Sequence, residues 1–372
     1  MNILRRLPLS RVLLLCALVV AIGVSATALA SALGSAPTPP PAPLAVAVHD
    51  ALTAAPVEGV SANVRLTDHL LEGANIASGS GEASQLSSSP LLSGASGRLW
   101  IAKDGRVRLE LQAEKGDTQI LYDGHTVQLY DASNNTLYRY TIPPRQQGSQ
   151  AAPDHGGDST AKDEAPPVAK IEEAISHLQQ HAKVSGATPT DVAGRPAYTV
   201  HVSPNEGGSL FGGVELSWDA AHGVPLRAAV YSSTSSSPVL ELAASEISYG
   251  PVDGSVFSFT PPPGTKIQDV SSSSGTAKPS TPSDHAGGHP KVTVHGHGAA
   301  AIAVLEGTSS KGSKGSSSPL PESLPKVKIN GISAAELATP LGTLLSFERS
   351  GVRYLVAGSV SPSAVEAVAR GL

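Results

Sequence analysis

A single cysteine, Cys16, serves the whole 372-residue chain, so an exported form of it holds no internal disulfide and rests on its core alone. Cys16 follows Leu13-Leu14-Leu15 inside an apolar stretch. A lipid-attachment site would want a small residue before the cysteine and a longer apolar run ahead, so lipidation there is not expected. Neither sign of charge dominates: 26 basic and 31 acidic residues are mixed along the chain for a net charge of −5, which leaves no electrostatic footprint for nucleic acid. Aromatics make up only 4% of the residues and sit mostly in strand-like segments, where they pack across strands instead of forming a stacking platform.

Catalytic motifs are missing as well. There is no Gly-x-Ser-x-Gly elbow, and most serines fall in linkers. Asp191, Asp219, Glu241 and Glu246 are scattered, so spacing proposes no carboxylate pair. Gly296-His297-Gly298-Ala299-Ala300-Ala301 imitates a dinucleotide fingerprint, but the apolar run ends by Leu305 and neither a helix nor an acidic residue comes after it at the needed distance. Gly307 to Lys314 lacks the Gly-Lys-Ser/Thr ending of a phosphate loop. His285, His289, His295 and His297 gather with Asp284, yet no cysteine or fixed scaffold supports a metal site, and the tract reads as a linker that carries histidine. The expectation is a protein that is not an enzyme and holds neither metal nor cofactor.

What is plentiful is glycine (37) and proline (30), with many serines, so much of the length is linker. Arg5, Arg6 and Arg11 precede an uncharged run from Val12, and Ala28-Leu29-Ala30 and Ala30-Ser31-Ala32 fit a signal-peptidase site. Residues 1–36 are therefore a signal peptide or, because mostly apolar residues continue to Leu33, a retained N-terminal membrane anchor. The chain is exported to the outer face of the plasma membrane, anchored or released. Residues 37–43 form a Pro-rich spacer expected to stand extended and lift the first domain off the membrane. That domain is residues 44–267; residues 268–290 are a Ser/Pro/Gly-rich linker and 291–372 a small C-terminal unit.

Within the first domain Leu44 to Ala54 is a helix candidate, Val60 to Leu66 a strand, and Gly97 to Ile142 five alternating segments in a row. Val107, Leu109 and Leu111 alternate with Arg106, Arg108 and Glu110, which places the three on one strand face. Asp104-Gly105, Asp123-Gly124 and Asn134-Asn135 supply residues that tolerate positive φ, so the segments join as an antiparallel meander. Lys170 to Val184 has helical spacing, and its apolar stripe is expected to cover the greasy sheet face. Ala197 to Val202, Val214 to Trp218, Leu226 to Tyr231 and Val239 to Tyr249 resume the strands. Val256 to Thr260 is a last one, before Pro261-Pro262-Pro263-Gly264 stops any ladder. Val292 to Val294, Ala300 to Leu305, a hairpin around Arg349-Ser350-Gly351 and a helix after Ser361-Pro362 make up the C-terminal unit. Trp100, Leu109, Leu111, Ile120, Leu129, Leu216, Trp218, Val230 and Leu240 line one side of a sheet with few helices to cover it. That side is the candidate binding surface, because bare apolar area is costly and calls for a lipid or a partner segment.

Gly97-Arg98-Leu99-Trp100, Asp104-Gly105-Arg106-Val107-Arg108-Leu109-Glu110-Leu111, Ile120-Leu121-Tyr122-Asp123-Gly124 and Val127-Gln128-Leu129-Tyr130-Asp131 succeed one another in an order that resembles a known family. The same order continues through Ala193-Gly194-Arg195-Pro196-Ala197-Tyr198, Trp218-Asp219, Gly223-Val224-Pro225-Leu226-Arg227 and Val256 to Gly264. The family is that of LolA-like periplasmic lipoprotein carriers, shared with RseB-type sigma-factor regulators and actinobacterial lipoprotein relatives. The resemblance covers about residues 44–267, and Val352 to Pro362 is similar to the closing segment of the regulator branch. It implies an α+β fold: a curved antiparallel sheet, an incomplete β-barrel closed by helices, whose apolar interior receives a lipid acyl chain or a lipoprotein. The alternative it implies is a regulator that docks on a membrane-bound anti-sigma factor. It implies no catalytic residue. The chain departs from the carriers in its N-terminal segment, its long insertions and its C-terminal unit.

Overall fold

The short alternating segments pair into two sheets in a computed structural model, which describes residues 37–72, 92, 94–114, 116–142, 165–270, 291–308 and 324–372. The N-terminal apolar run and most of the Ser/Gly/Pro insertions lie outside the described residues. Among the described residues no helix is long and apolar enough to cross a membrane.

The first sheet begins with β1 (Gly59–Asp68) and the meander β2 (Ala95–Ala102), β3 (Val107–Ala113), β4 (Gly116–Tyr122), β5 (Thr126–Asp131) and β6 (Thr136–Thr141). Three of its turns close on Gly105 (φ 85°), Gly124 (φ 98°) and Asn135 (φ 49°), where positive φ is needed. It continues with β7 (Ala182–Val184), β8 (Thr188–Val192), β9 (Arg195–Pro204), β10 (Phe211–Asp219), β11 (Pro225–Ser232), β12 (Pro238–Tyr249) and β13 (Lys266–Asp269). The order is β13-β6-β5-β4-β3-β2-β1-β12-β11-β10-β9-β7, with β8 also on β9, so the 13 strands form a curved sheet that does not close on itself. Every pair is antiparallel except β13 with β6.

Helices α1 (Leu44–Thr53) and α2 (Val168–Gln179) accompany this sheet. α1 is Ala/Leu/Val-rich and ends before Pro56; its Ala47 is buried against Tyr198 and Trp218. α2 corrects the expected helix over Lys170 to Val184: Ala182 and Val184 leave it to pair with Pro204 and Val202 of β9. It packs chiefly on α1 and β7, and its Leu178 stays 43% exposed. The Pro-rich spacer is corrected too. The Tyr198 hydroxyl donates to the Pro40 carbonyl at 2.7 Å, Ala42 bridges Ala187 and Pro39 is buried. This stretch lies down on the sheet instead of standing away from it.

The second sheet runs β14 (Lys291–His295), β15 (Ile302–Thr308), β19 (Val352–Gly358), β18 (Gly342–Arg349), β17 (Ile332–Thr339), β16 (Lys326–Ile329). Helix α3 (Pro362–Arg370) lays Val365 and Ala369 on Ile302, Val304, Leu345, Phe347 and Val356. The opposite face takes Leu324 and Leu71, the latter from the turn that follows β1. The two sheets also meet where Leu210 N–H and Ser209 Oγ donate to the Ser359 carbonyl at 2.6 and 3.0 Å.

Candidate functional site: the helix-bearing face of the first sheet

Residues directly opposite on antiparallel strands share a face, so the register assigns each side chain. From β6 inward the pairs are Tyr138 with Leu129, Leu129 with Ile120, Ile120 with Leu109 and Leu109 with Leu99. The row continues through Leu99 with Ala62 and Ala62 with Ile247. Four residues further along β1, past Val64, Leu66 faces Leu242, Leu242 faces Ala228, Ala228 faces Leu216 and Leu216 faces Val200. A single apolar face therefore runs across the sheet from β6 to β9. It is the face on which α1 sits, through Tyr198 and Trp218.

Eight of the nine residues singled out in the sequence stand on this face: Leu109, Leu111, Ile120, Leu129, Leu216, Trp218, Val230 and Leu240. They are not equivalent. Leu111 (1% exposed) is closed in with Val60, Ala62 and Val64, and Trp218 (5%) lies under α1. Leu109, Ile120 and Leu129 are partly buried, and Leu216 is 41% exposed beside Val214 at 39%. Trp100 is the exception. It pairs with Ser61 and Arg108, whereas its neighbours Leu99 and Ile101 point to the apolar face. By strand parity Trp100 belongs to the other side of the sheet. Tyr138 and Tyr140, not singled out from the sequence, extend the face on β6 opposite Leu129 and Val127; their alternation with Leu137 and Arg139 was the available signal.

The other face of the meander is covered. After β12 the chain crosses it as a short 3-10 turn, Gly254–Phe257, and an extended run to Gly264, where a strand over Val256 to Thr260 was expected. Phe259 packs on Tyr130 with ring centroids 5.2 Å apart, and Leu121, Tyr130 and Leu137 are buried. Arg108 Nη1 donates to the Val256 carbonyl at 2.6 Å and Arg106 lies over the Phe257 ring. The helix-bearing face has no such strap among the described residues: its cover is α1, at the β9–β10 end. Beside Val214 a cavity of about 350 Å³ is lined by Ala182, Val202, Phe211 and the Gly298-Ala299 turn of the second sheet's segment.

Charge is kept off the apolar face or neutralised at its margin. Asp219, 2% exposed, meets opposing influences: burial works to raise its pKa, but donors from the Tyr249 hydroxyl (2.7 Å), the Ala221 and His222 amides and the His222 ring hold it below the usual carboxylate value. Burial and that same carboxylate push the Tyr249 phenol up. On the strap-bearing side Arg227 is clamped by Glu215, Glu241 and the Tyr231 hydroxyl. No group of three or more metal-ligating side chains occurs among the described residues, and His297 makes a 3.1 Å contact with Glu206 instead.

Comparison with protein-family models and with curated proteins finds no match. Solved structures do align. A Pseudomonas aeruginosa MucA/MucB complex is 15% identical over 87% of this chain and 95% of that one, with a TM-score of 0.42. A conserved protein from Thermus thermophilus is 11% identical over 61% and 97%, at 0.33, and a LolA superfamily protein from Nitrosomonas europaea 10% over 85% and 90%, at 0.19. The chain is similar to MucB and LolA-superfamily structures. Each likeness is too distant to carry a family, a function or any residue's role across.

Proposed function

We propose that this chain is a non-enzymatic, exported protein that holds lipid acyl chains, free or on a lipoprotein, against the apolar face of its first sheet. The observation that supports this most is the pair of apolar rows on one face, Tyr138-Leu129-Ile120-Leu109-Leu99-Ala62 and Leu66-Leu242-Ala228-Leu216-Val200, with Leu216 41% exposed. An acyl chain is long, narrow and featureless, and a row of aliphatic side chains across many strands offers it contact at every methylene, worth about 0.8 kcal/mol each when fully buried. Residues 1–36 serve as the export signal or the anchor at the outer face of the plasma membrane. Saturable binding of cis-parinaric acid by the purified chain, lost in Leu109→Asp and Leu129→Asp at unchanged circular dichroism, is the expected result. Equal binding by both variants would sink the reading.

A second reading has one observation in its favour. β14 is an edge strand whose Val292 and Val294 are each 59% exposed, and a bare β-branched edge is a template for a partner's strand. MucB has been crystallised in complex with MucA, and the corresponding role here is docking on a membrane-bound anti-sigma factor through residues 291–372. Truncation after residue 270 then abolishes co-purification with the anti-sigma factor. Retention of the partner by the truncated chain would refute it.

A further inference from the structure

Trp100, displaced from the acyl face, belongs to a second surface. On the strap-bearing side of β1, β2 and β12, beyond the reach of the strap, Trp100 stands opposite Ser61 and Arg98 opposite Asn63, while Arg65 stands opposite Ser96. Arg65 and Arg98 are both exposed, and neither has a hydrogen-bond or ion-pair partner among the described residues. Glu110, directly opposite Arg98 on β3, is taken by Arg108 at 2.5 Å. Two free guanidinium groups thus lie on neighbouring strands, one residue pair apart.

Two cavities adjoin here, sharing Asn63 and Arg98. One, of about 400 Å³, is lined by Arg65, Arg98, Ser96, Gln112 and Ser245, with no carboxylate on its wall. Ser245 is the extra residue of the bulge that breaks the β1–β12 register, the device by which a strand re-aims a side chain. The other, of about 410 Å³, is lined by Trp100, Ser61, Asn63, Glu246 and Ser248. The Asn63 amide donates to Glu246 Oε2 at 2.6 Å, which fixes both side chains at the cavity edge. The first cavity offers forked donors that match a phosphate, with hydroxyl and amide groups beside them. The second offers a flat indole flanked by an amide, a carboxylate and hydroxyls, which suits a ring that carries hydroxyl groups and no charge.

We propose that this groove binds a sugar phosphate, the phosphate between Arg65 and Arg98 and the sugar ring on Trp100 with its hydroxyls on Asn63 and Glu246. Glu246 repels the phosphate from the Trp100 end and so fixes the direction of the ligand. The site is on the opposite side of the sheet from the acyl face and does not depend on it. The chemistry is shared by soluble sugar phosphates and by the headgroup of phosphatidylinositol.

The test is calorimetric titration of the full chain in a polyoxyethylene detergent with glucose 6-phosphate, glucose and inorganic phosphate. Glucose 6-phosphate binds at least about tenfold tighter than either fragment, and Arg65→Gln and Arg98→Gln each weaken it by about tenfold, the worth of one charge-assisted contact. Trp100→Ala weakens glucose 6-phosphate but leaves inorganic phosphate unchanged, and Leu109→Asp changes neither. Mixed micelles with phosphatidylinositol that bind through Arg98, in competition with glucose 6-phosphate, identify the headgroup as the source; binding of glucose 6-phosphate alone identifies a soluble ligand. No saturable heat with any probe, or equal affinity in the Arg65→Gln/Arg98→Gln double variant, would overturn the proposal.

Discussion

At the residue scale the two faces of β2 and β3 are decided by parity, and parity was readable for most positions. Val107, Leu109 and Leu111 fall where their alternation puts them. Trp100 is apolar like them, but Leu99 and Ile101 on either side of it already occupy that face, so for a large aromatic in a strand position is a better guide than chemistry. Burial could not be read at all, because Leu111 and Leu109 look alike in sequence and differ only in what the curved sheet brings over them. Glu336 gives a residue-scale prediction. It lies on the α3-covered face of the second sheet, Oε2 has no hydrogen-bond partner, and burial, with Glu366 nearby, pushes its carboxyl above the usual 4.5. A carboxyl raised on folding binds its proton more tightly in the folded state, so its stabilising contribution is complete below pH 4.5 and is lost as pH rises through the folded value. Glu336→Gln is therefore more stable than the parent at neutral pH by on the order of 1 kcal/mol, the cost of one unsatisfied buried acceptor, and the gap closes in acid. Thermal melts at the two pH values check it, and identical melts at neutral pH would contradict it.

At the scale of elements, local chemistry announced the hairpins and tertiary packing overruled the rest. Gly105, Gly124 and Asn135 turn the meander as their types require. Asn330-Gly331, both at positive φ, joins β16 to β17 and is the same kind of signal between Val327, Ile329 and Ile332, yet that hairpin was not among the strands expected. The triple proline was expected to stop any ladder. It breaks the chain's regular pairing across the meander, but β13 then forms just past Gly264, parallel to β6, a pairing that no local pattern encodes. The crossing segment depends on Arg108, only 15% exposed in its side chain, which reaches Val256, Gln119 and Glu110 at once. Arg108→Ala frees the Val256 carbonyl and unpairs Glu110 beneath the strap, a loss of about 1–3 kcal/mol. Hydrogen exchange in β13 and β6 speeds up while β15 and β18 keep their protection; unchanged exchange in β13 would show that Arg108 does not hold the strap.

At the scale of the molecule, the expected curved antiparallel sheet with few helices is what the described residues form, with 13 strands in the first sheet. Strands β7, β8 and β13, three to five residues each, are absent from the expected strands because they are too short to carry a period of their own. The spacer expected to hold the protein away from the membrane is bound to β9 by Tyr198, so the helix-bearing face begins immediately after residues 1–36. That placement, and the bare Val214 and Leu216 beyond α1, are why the acyl reading is preferred for the whole molecule. Native mass spectrometry of the full chain tests it most directly. A protein ion with bound acyl lipid is expected, and a bare ion for Leu109→Asp under the same gentle conditions; a bare parent protein, or lipid retained by the variant, would contradict it.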